Sequence, residues 1–208
     1  MLLIGLTGNI AAGKSTLAQA FAERGALVID SDLAAREAVA SGTPGLRAII
    51  DTFGTEMLTA DGSLDRALLG RRVFADAAAR RALESIVHPA VEASRQRAVR
   101  DARAAGRAVV ICDIPLLFEA HLAWQFPRII LADAPVSIRI SRLVRDRGMS
   151  RGDAAARIAA QMPATLKRLR ADLVVDNDAD RATLAGRIVT AWDRVQRWSL
   201  VAGTGHAV

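Results

Sequence analysis

The chain predicts an α/β fold, a five-stranded parallel sheet flanked by helices, and three observations predict it. Short continuous apolar runs recur at residues 2–6, 26–29, 108–112, 128–132 and 173–175, the pattern of strands covered on both faces. Helical stretches separate those runs, as crossovers between parallel strands require. The first run leads directly into Gly8-x-x-x-x-Gly13-Lys14-Ser15 and then into helix formers with no breaker before Gly25.

That first stretch organises the rest. Strand, glycine-bounded loop, Lys-Ser and helix together make a phosphate-binding loop. The competing reading, a chance match in an ordinary turn, lacks the strand before and the helix after. Backbone N–H groups of Ala11, Ala12, Gly13, Lys14 and Ser15 can converge at a helix N-terminus, where partial positive charge favours phosphate oxygens. Gly8 and Gly13 allow backbone angles and close approach that a Cβ hinders. Lys14 can reach the β- and γ-phosphates and the Ser15 hydroxyl can ligate Mg²⁺; Thr16 completes the ATP-binding set.

The first helix spans about residues 14–24 and buries Leu17, Ala18 and Phe21. The second strand, 26–29, ends in Asp30-Ser31-Asp32, and residues 33–40 are helical. Ligands of an open parallel sheet gather at the carboxyl ends of its strands, so this acidic pair is expected beside the phosphate loop. One Asp can orient or deprotonate an attacking hydroxyl; the other can cap the next helix. After the loop at 41–45, helices are expected at 46–53, 66–74 and 76–87, with a turn at Ala60-Asp61-Gly62. Pro89 fits the first position of a further long helix ending near Gly106. So much chain between strands two and three exceeds a simple crossover and predicts a helical insertion. His88 reads as a packed or hydrogen-bonded helix-entry residue, with no neighbouring His or Cys to suggest a metal site.

The third strand ends in Asp113, either a Mg²⁺-holding carboxylate or a helix-cap or loop acceptor. Residues 114–119, with Leu116, Leu117 and Phe118, are too apolar for an ordinary surface loop and are expected to line a cavity or contact a ligand. The fourth strand stops at Asp133-Ala134-Pro135. The helix after it sets Arg139, Arg142 and Arg145 at three-residue spacing, a stripe that either neutralises charge on a transferring phosphoryl group or is a solvated face. Gly148 ends that helix, and Ser150-x-x-Asp153 resembles a capping box for a helix to Met162. Lys167, Arg168 and Arg170 continue the basic theme. A terminal helix at 181–198 carries Trp192 and Trp198 for packing, and a frayed tail is expected at 202–208.

Composition bounds the partners. The 208 residues are 51% hydrophobic, enough for one sizeable domain with a real core. Twenty-eight Lys and Arg against 22 Asp and Glu leave +6, which suits nucleic acid or a polyanionic small molecule, or simply reflects Arg-rich usage. Only 4% is aromatic and there is no Tyr, so stacking platforms for single strands are scarce. The single Cys112 excludes an internal disulfide and reads as a small buried hydrophobe. No basic leader segment and no apolar run of membrane-spanning length is seen, so a cytoplasmic protein without a membrane partner is expected.

Several segments together carry a family resemblance. They are Leu6-Thr7-Gly8-Asn9-Ile10-Ala11-Ala12-Gly13-Lys14-Ser15-Thr16, Val28-Ile29-Asp30-Ser31-Asp32, Phe53-Gly54 and Asp61-Gly62. Further on come His88-Pro89, Asp113-Ile114-Pro115-Leu116-Leu117-Phe118-Glu119, Gln161-Met162-Pro163 with Lys167, and Ala171-Asp172 running to Asp176-Asn177. Over nearly its whole length the chain resembles the dephospho-CoA kinases, small-molecule kinases of the P-loop NTP hydrolase fold. The resemblance implies transfer of the ATP γ-phosphate to the ribose 3′-hydroxyl of dephospho-CoA, giving CoA and ADP, the final step of coenzyme A synthesis.

It also implies a nucleotide-binding core at about 1–32, 107–135 and 171–200, a substrate-binding insertion at 33–106 and a lid at 136–170. Asp32 matches the expected base or orienter of the hydroxyl and Arg142 the lid arginine that stabilises transition-state charge. His88, Asp113, Leu116, Leu117 and Phe118 match substrate-side segments, and Ser15 and Asp113 would share Mg²⁺. ATP and Mg²⁺ are the implied cofactors, and the expected protein is a monomer with no nucleic-acid partner. Two departures stand out. Asn9 and Ala11 replace customary glycines, with Asn9 able to take a left-handed conformation. Arg145-Asp146-Arg147-Gly148 shifts the lid's charge order, leaving open which of Arg145 and Arg147 meets ATP. The alternatives are another P-loop small-molecule kinase, acting on a nucleoside, gluconate or shikimate, and a non-catalytic ATP-dependent nucleic-acid-binding protein.

Overall fold

The computed structural model describes residues 1–204. The chain runs β1 (Leu2–Gly8), α1 (Lys14–Ala22), β2 (Leu27–Asp30), α2 (Ser31–Ala38), α3 (Pro44–Phe53), α4 (Arg66–Ala75), α5 (Ala77–Ala104) and β3 (Val109–Asp113). It continues through β4 (Arg128–Asp133), α6 (Val136–Arg147), α7 (Arg151–Ala159), α8 (Ala164–Arg168), β5 (Leu173–Asp176) and α9 (Arg181–Thr204). The sheet order is β2-β3-β1-β4-β5. β1 lies parallel to both β3, with Leu2 opposite Val109 and Leu6 opposite Asp113, and β4, with Gly8 opposite Ala132. β4 pairs in parallel with β5.

The carboxyl ends of β1, β3, β4 and β5 therefore share one edge. β1 sits at the switch point where the chain winds off in both directions, the place where such sheets bind ligands. The apolar strands form as expected because both faces are covered: Ile4, Leu6, Ile111 and Ile130 are fully buried, packed with Leu17 and Phe21 of α1 and Ile188 and Val195 of α9. Trp192 and Trp198 pack on this core, and the Phe21 and Trp192 rings lie 5.8 Å apart. Strand β1 extends two residues beyond the apolar run, to Gly8, because β4 offers a paired partner that far.

Two compact units divide the chain. One comprises Met1–Ile29 with the chain from Ala102 onward and contains the sheet; the other is Asp30–Asp101. The second unit has its own core, in which Val39, Leu46, Ile49, Phe53, Met57, Leu64 and Leu69 interlock.

The long helix corrects one expectation. Pro89 lies inside α5 rather than opening a separate helix. An interior proline removes one ladder bond and costs about 3 kcal/mol. Burial on both sides of it offsets that cost: Ala79 lies before the proline and Arg95 and Ala102 after it, so one helix carries all three. Its start follows the sequence closely, since the Asp76 carboxylate accepts from the backbone N–H groups of Ala78 and Ala79. At the other end, α9 continues to Thr204, so residues 202–204 are helical where fraying was expected. The remainder of that expected tail, 205–208, lies outside the described residues.

Candidate active site

The residues between β1 and α1 make a nest. Gly13 precedes α1 at φ 94°, and Ala11 stands at φ 60°, so two left-handed residues flank Ala12. Alternation of this kind turns consecutive N–H groups inward and carbonyls outward. The left-handed non-glycine residue is Ala11 and not Asn9, a correction to the sequence expectation, and it costs about 1 kcal/mol. Asn9 is instead buried, with Nδ2 donating to the Met162 carbonyl at 3.1 Å. The neighbouring Ile10 N–H donates to Gln161 Oε1 at 2.8 Å.

Both framing glycines are required sterically. A Cβ on Gly8 would stand 2.7 Å from the Ala132 carbonyl oxygen, and one on Gly13 1.9 Å from Asn177 Nδ2. Lys14, Ser15 and Thr16 open α1; Ser15 and Thr16 are exposed. The Lys14 ammonium donates to Asp113 Oδ1, the last residue of β3, and both side chains are largely covered.

Two carbonyls of the nest, those of Ala11 and Ala12, are held from elsewhere. Arg142 of α6 donates through Nη1 to the Ala11 carbonyl at 3.1 Å. Through Nη2 it donates to the Asn177 backbone oxygen and to Oδ1, both at 3.0 Å. Asn177 Nδ2 donates in turn to the Ala12 carbonyl at 3.0 Å.

The expected arginine stripe separates. Arg139 is buried, with Nε donating to the Ala134 carbonyl, and burial lowers its pKa although the Asp133 charge opposes that shift. Arg142 faces the nest. Arg145 is exposed and makes a two-bond pair with the adjacent Asp146, which raises the guanidinium's pKa. Three residues of helix turn by only 300°, so positions at this spacing drift around the axis rather than lining up. A cleft of about 380 Å³ opens beside this face, lined by Ile138, Ser141, Arg142 and Arg145 of α6 and by Asp178 and Ala179 after β5. Arg147 is exposed at the end of α6 and is not among the lining residues.

Helix α8 is fastened to the sheet edge. Lys167 of α8 is fully buried and pairs with Glu119 at 2.7 Å. Its neighbour Arg168 bridges Asp133 at 2.8 Å and Asp176 at 2.6 Å, and hydrogen bonds to both carboxylates raise its pKa. Ile158, Ala154 and Leu143 form a small core against Ile10 and Ala11.

The segment 114–119 divides internally. Leu117 and Phe118 are fully buried, with Leu117 packed against Gly5, whereas Leu116 is half-exposed. Thr7 Oγ1 donates to the Pro115 carbonyl at 3.1 Å, fixing this segment beside the end of β1.

In the second unit, Asp30 is the helix cap. Its Oδ1 accepts from the N–H groups of Asp32 and Leu33 at 2.8 and 3.1 Å, which leaves Asp32 exposed in the first turn of α2. His88 is exposed on α5. Asn177 and Arg168 are the residues that sequence reading did not assign; the only signal for either was membership of an Asp-Asn turn or a basic run.

No group of three or more His, Cys, Asp or Glu able to cage a metal occurs among the described residues. One hydroxyl, Ser15 in the first turn of α1, and one carboxylate, Asp113 at the end of β3, nevertheless stand on the elements beside the nest. That hard-oxygen pair fits Mg²⁺, which takes its remaining ligands from phosphate oxygens and water. Among the described residues no helix is long and apolar enough to cross a membrane.

The sequence model of the family described as dephospho-CoA kinase matches residues 2–183. A dephospho-CoA kinase of Streptomyces avermitilis is 48% identical over 198 residues, covering 95% of this chain and 96% of the relative. One of Mycolicibacterium paratuberculosis is also 48% identical, over 93% of this chain; the chain spans about half, 47%, of that relative's length. Among solved structures, TT1252 of Thermus thermophilus superposes with a TM-score of 0.79 at 34% identity, covering 91% of this chain and 95% of that one. A shikimate kinase of Bacteroides thetaiotaomicron, 17% identical with a TM-score of 0.50, shares the fold alone. With the family match running from β1 into α9, the chain belongs to the dephospho-CoA kinase family.

Proposed function

We propose that this protein transfers the γ-phosphoryl group of ATP to the ribose 3′-hydroxyl of dephospho-CoA, releasing CoA and ADP. The observation that carries this reading is the near end-to-end match to a relative named dephospho-CoA kinase, of which 96% is covered. The nest supports its nucleotide half: main-chain N–H groups of Ala11 to Ser15 at a helix N-terminus suit the β- and γ-phosphates.

In this reading Lys14 leaves Asp113 for the β- and γ-oxygens and follows the charge that builds as the γ-phosphoryl detaches. Arg142 places a second cation on the same group. Asp32 accepts the 3′-hydroxyl proton while the new P–O bond forms and the bond to ADP breaks. Asp30 is assigned instead to capping α2 through Oδ1. Ser15 and Asp113 would hold Mg²⁺, which neutralises phosphate charge when bound. Arg145, rather than Arg147, meets the nucleotide because it lines the cleft beside Arg142. Of the apolar segment, Leu116 is the side chain free to meet the acceptor; Leu117 and Phe118 support it from the core. His88 is assigned to the acceptor side. The insertion at 33–106 would receive dephospho-CoA and residues 136–170 would form the lid, in a cytoplasmic monomer.

The test is ADP release coupled to an indicator reaction, with dephospho-CoA compared against shikimate, gluconate and a nucleoside panel. Turnover with dephospho-CoA alone is expected. Turnover that prefers another acceptor overturns the assignment.

A further inference from the structure

The nest is not self-supporting, and its support converges on one buried amide. Asn177 is buried at the turn after β5, 165 residues along the chain from the carbonyl it holds. Its own N–H donates to the Asp133 carbonyl at 2.7 Å, which fixes the residue to the end of β4. Its Nδ2 donates to the Ala12 carbonyl, its Oδ1 and backbone oxygen both accept from Arg142 Nη2, and Arg142 Nη1 reaches the Ala11 carbonyl. A Cβ on Gly13 would collide with Nδ2, so the amide lies directly under the turn into α1.

We infer that Asn177 is a positioning residue for phosphoryl transfer: it holds the Ala11-Ala12 peptides with their carbonyls outward, so that the N–H groups face the nucleotide. The geometry demands such a hold because Ala11 occupies a left-handed conformation that its Cβ disfavours. Without an external acceptor-side anchor, the Ala11-Ala12 segment relaxes toward ordinary backbone angles and rotates N–H groups away from the nest. The same residue orients Arg142, its Oδ1 and backbone oxygen both accepting from Nη2. One side chain thereby couples the ground-state phosphate site to the cation assigned to the transferring group. This inference rests on the nucleotide half of the function proposed above and is indifferent to the identity of the acceptor.

Asn177→Asp is the discriminating variant. It preserves shape and the acceptor for Arg142 but replaces the donor to Ala12 with an oxygen, turning an attraction into a repulsion. ADP affinity is measured by calorimetry for the wild type, for Asn177→Asp and for Asn177→Asp with Ala11→Gly; thermal midpoints are recorded alongside. The expected result is about a 10-fold or greater loss of ADP affinity in the single variant, with a rise in the KM for ATP and none in that for the acceptor. Adding Ala11→Gly is expected to recover at least half of that loss, because glycine holds the left-handed angle without assistance.

An ADP affinity within twofold of wild type in Asn177→Asp overturns the inference. So does a loss that tracks a lowered thermal midpoint and is not recovered by Ala11→Gly, since that marks general destabilisation. Failure of the wild type to bind ADP overturns the phosphate-loop reading and this inference with it, whereas ADP binding without turnover of dephospho-CoA overturns only the acceptor.

Discussion

Lys14 at the start of α1 and Asp113 at the end of β3 form an ion pair across the sheet edge, with both side chains mostly shielded from water. The lysine is thereby held at the mouth of the nest, and its charge is balanced until a more strongly anionic group competes for it. Replacing Lys14 by Ala removes both the cation proposed to meet the phosphates and an ion-pair partner of Asp113. Phosphoryl transfer is expected to fall by about 10³-fold, in the range seen when one preorganised charge donor is lost. Single-turnover kinetics give the number, and far-UV circular dichroism checks that the helices persist. Unchanged turnover would remove the loop from the mechanism.

How far the sequence carried this picture depends on the range of each interaction. Strands β1, β3, β4 and β5 were legible because continuous apolar runs ending in Gly or Asp encode burial locally. The phosphate loop was legible for the same reason, its glycines and lysine being contiguous. Pro89 misled, since a local helix-start preference was overridden by burial on the turns to either side of it, at Ala79 and at Arg95 and Ala102. The roles of Arg139, Arg142 and Arg145 could not be separated from spacing, because the partners that hold the first two, Ala134, Ala11 and Asn177, lie outside α6. Asn177 was illegible as a nest support: its contact with Ala12 spans nearly the whole chain. Asp30 and Asp32 were both visible as candidates, and only the cap geometry divided them.

Asp32→Asn follows from that division. Asp30 is committed to two backbone N–H groups, so its loss should weaken the start of α2 by about 1 kcal/mol. Asp32 carries no such duty as cap. Asn at this position keeps the volume and removes the base, so kcat is expected to drop about 10²-fold or more with the fold intact. Steady-state kinetics on Asp32→Asn and Asp30→Asn distinguish them: the first should lose kcat, the second chiefly thermal stability. A mild effect of Asp32→Asn on kcat would remove it as the proton acceptor.

Arg142→Ala removes three hydrogen bonds to the nest and its support as well as a cation. If its main work is on the transferring group, kcat should fall by about 10²-fold or more while the KM for ATP moves less. Arg142→Lys keeps the charge without the planar fork and should recover little. A change confined to KM would assign Arg142 to ground-state binding alone.

The second unit offers a pH test. Asp61 accepts from the hydroxyls of Thr59 and Ser63 and from the Ser63 N–H, and these bonds, the Thr59 one foremost, hold its carboxyl down at about 2 instead of 3.8. A carboxyl whose pKa is depressed on folding stabilises the fold above its unfolded pKa and stops doing so as pH falls through the folded value. The turn should therefore be fully supported above pH 4 and lose that support between about pH 4 and 2. Carboxyl carbon chemical shifts of Asp61 followed by NMR give the midpoint directly. Thr59→Val should raise it toward the ordinary carboxylate range, and a wild-type midpoint near 4 would contradict the bonding seen here.

Lys167 is the buried cation whose removal should cost the most stability. Glu119 Oε1 forms an ion pair with Lys167 Nζ and accepts from the Met162 N–H at 3.2 Å, while the Met162 carbonyl accepts from Asn9. The pair thus fixes the peptide that anchors the strand-side end of the phosphate loop. Truncating one member of a buried pair leaves the other's charge uncompensated, which costs about 3 kcal/mol; partial exposure of Glu119 puts Lys167→Met at the lower end of that range. Glu119→Gln in the Lys167→Met background neutralises the stranded carboxylate and keeps an acceptor for Met162. The double variant is therefore expected to be more stable than Lys167→Met alone, by urea unfolding with unchanged m-value. Additive losses from the two substitutions would mean that the residues do not act as a pair, and that Met162 is held by the backbone of residues 160–163 without them.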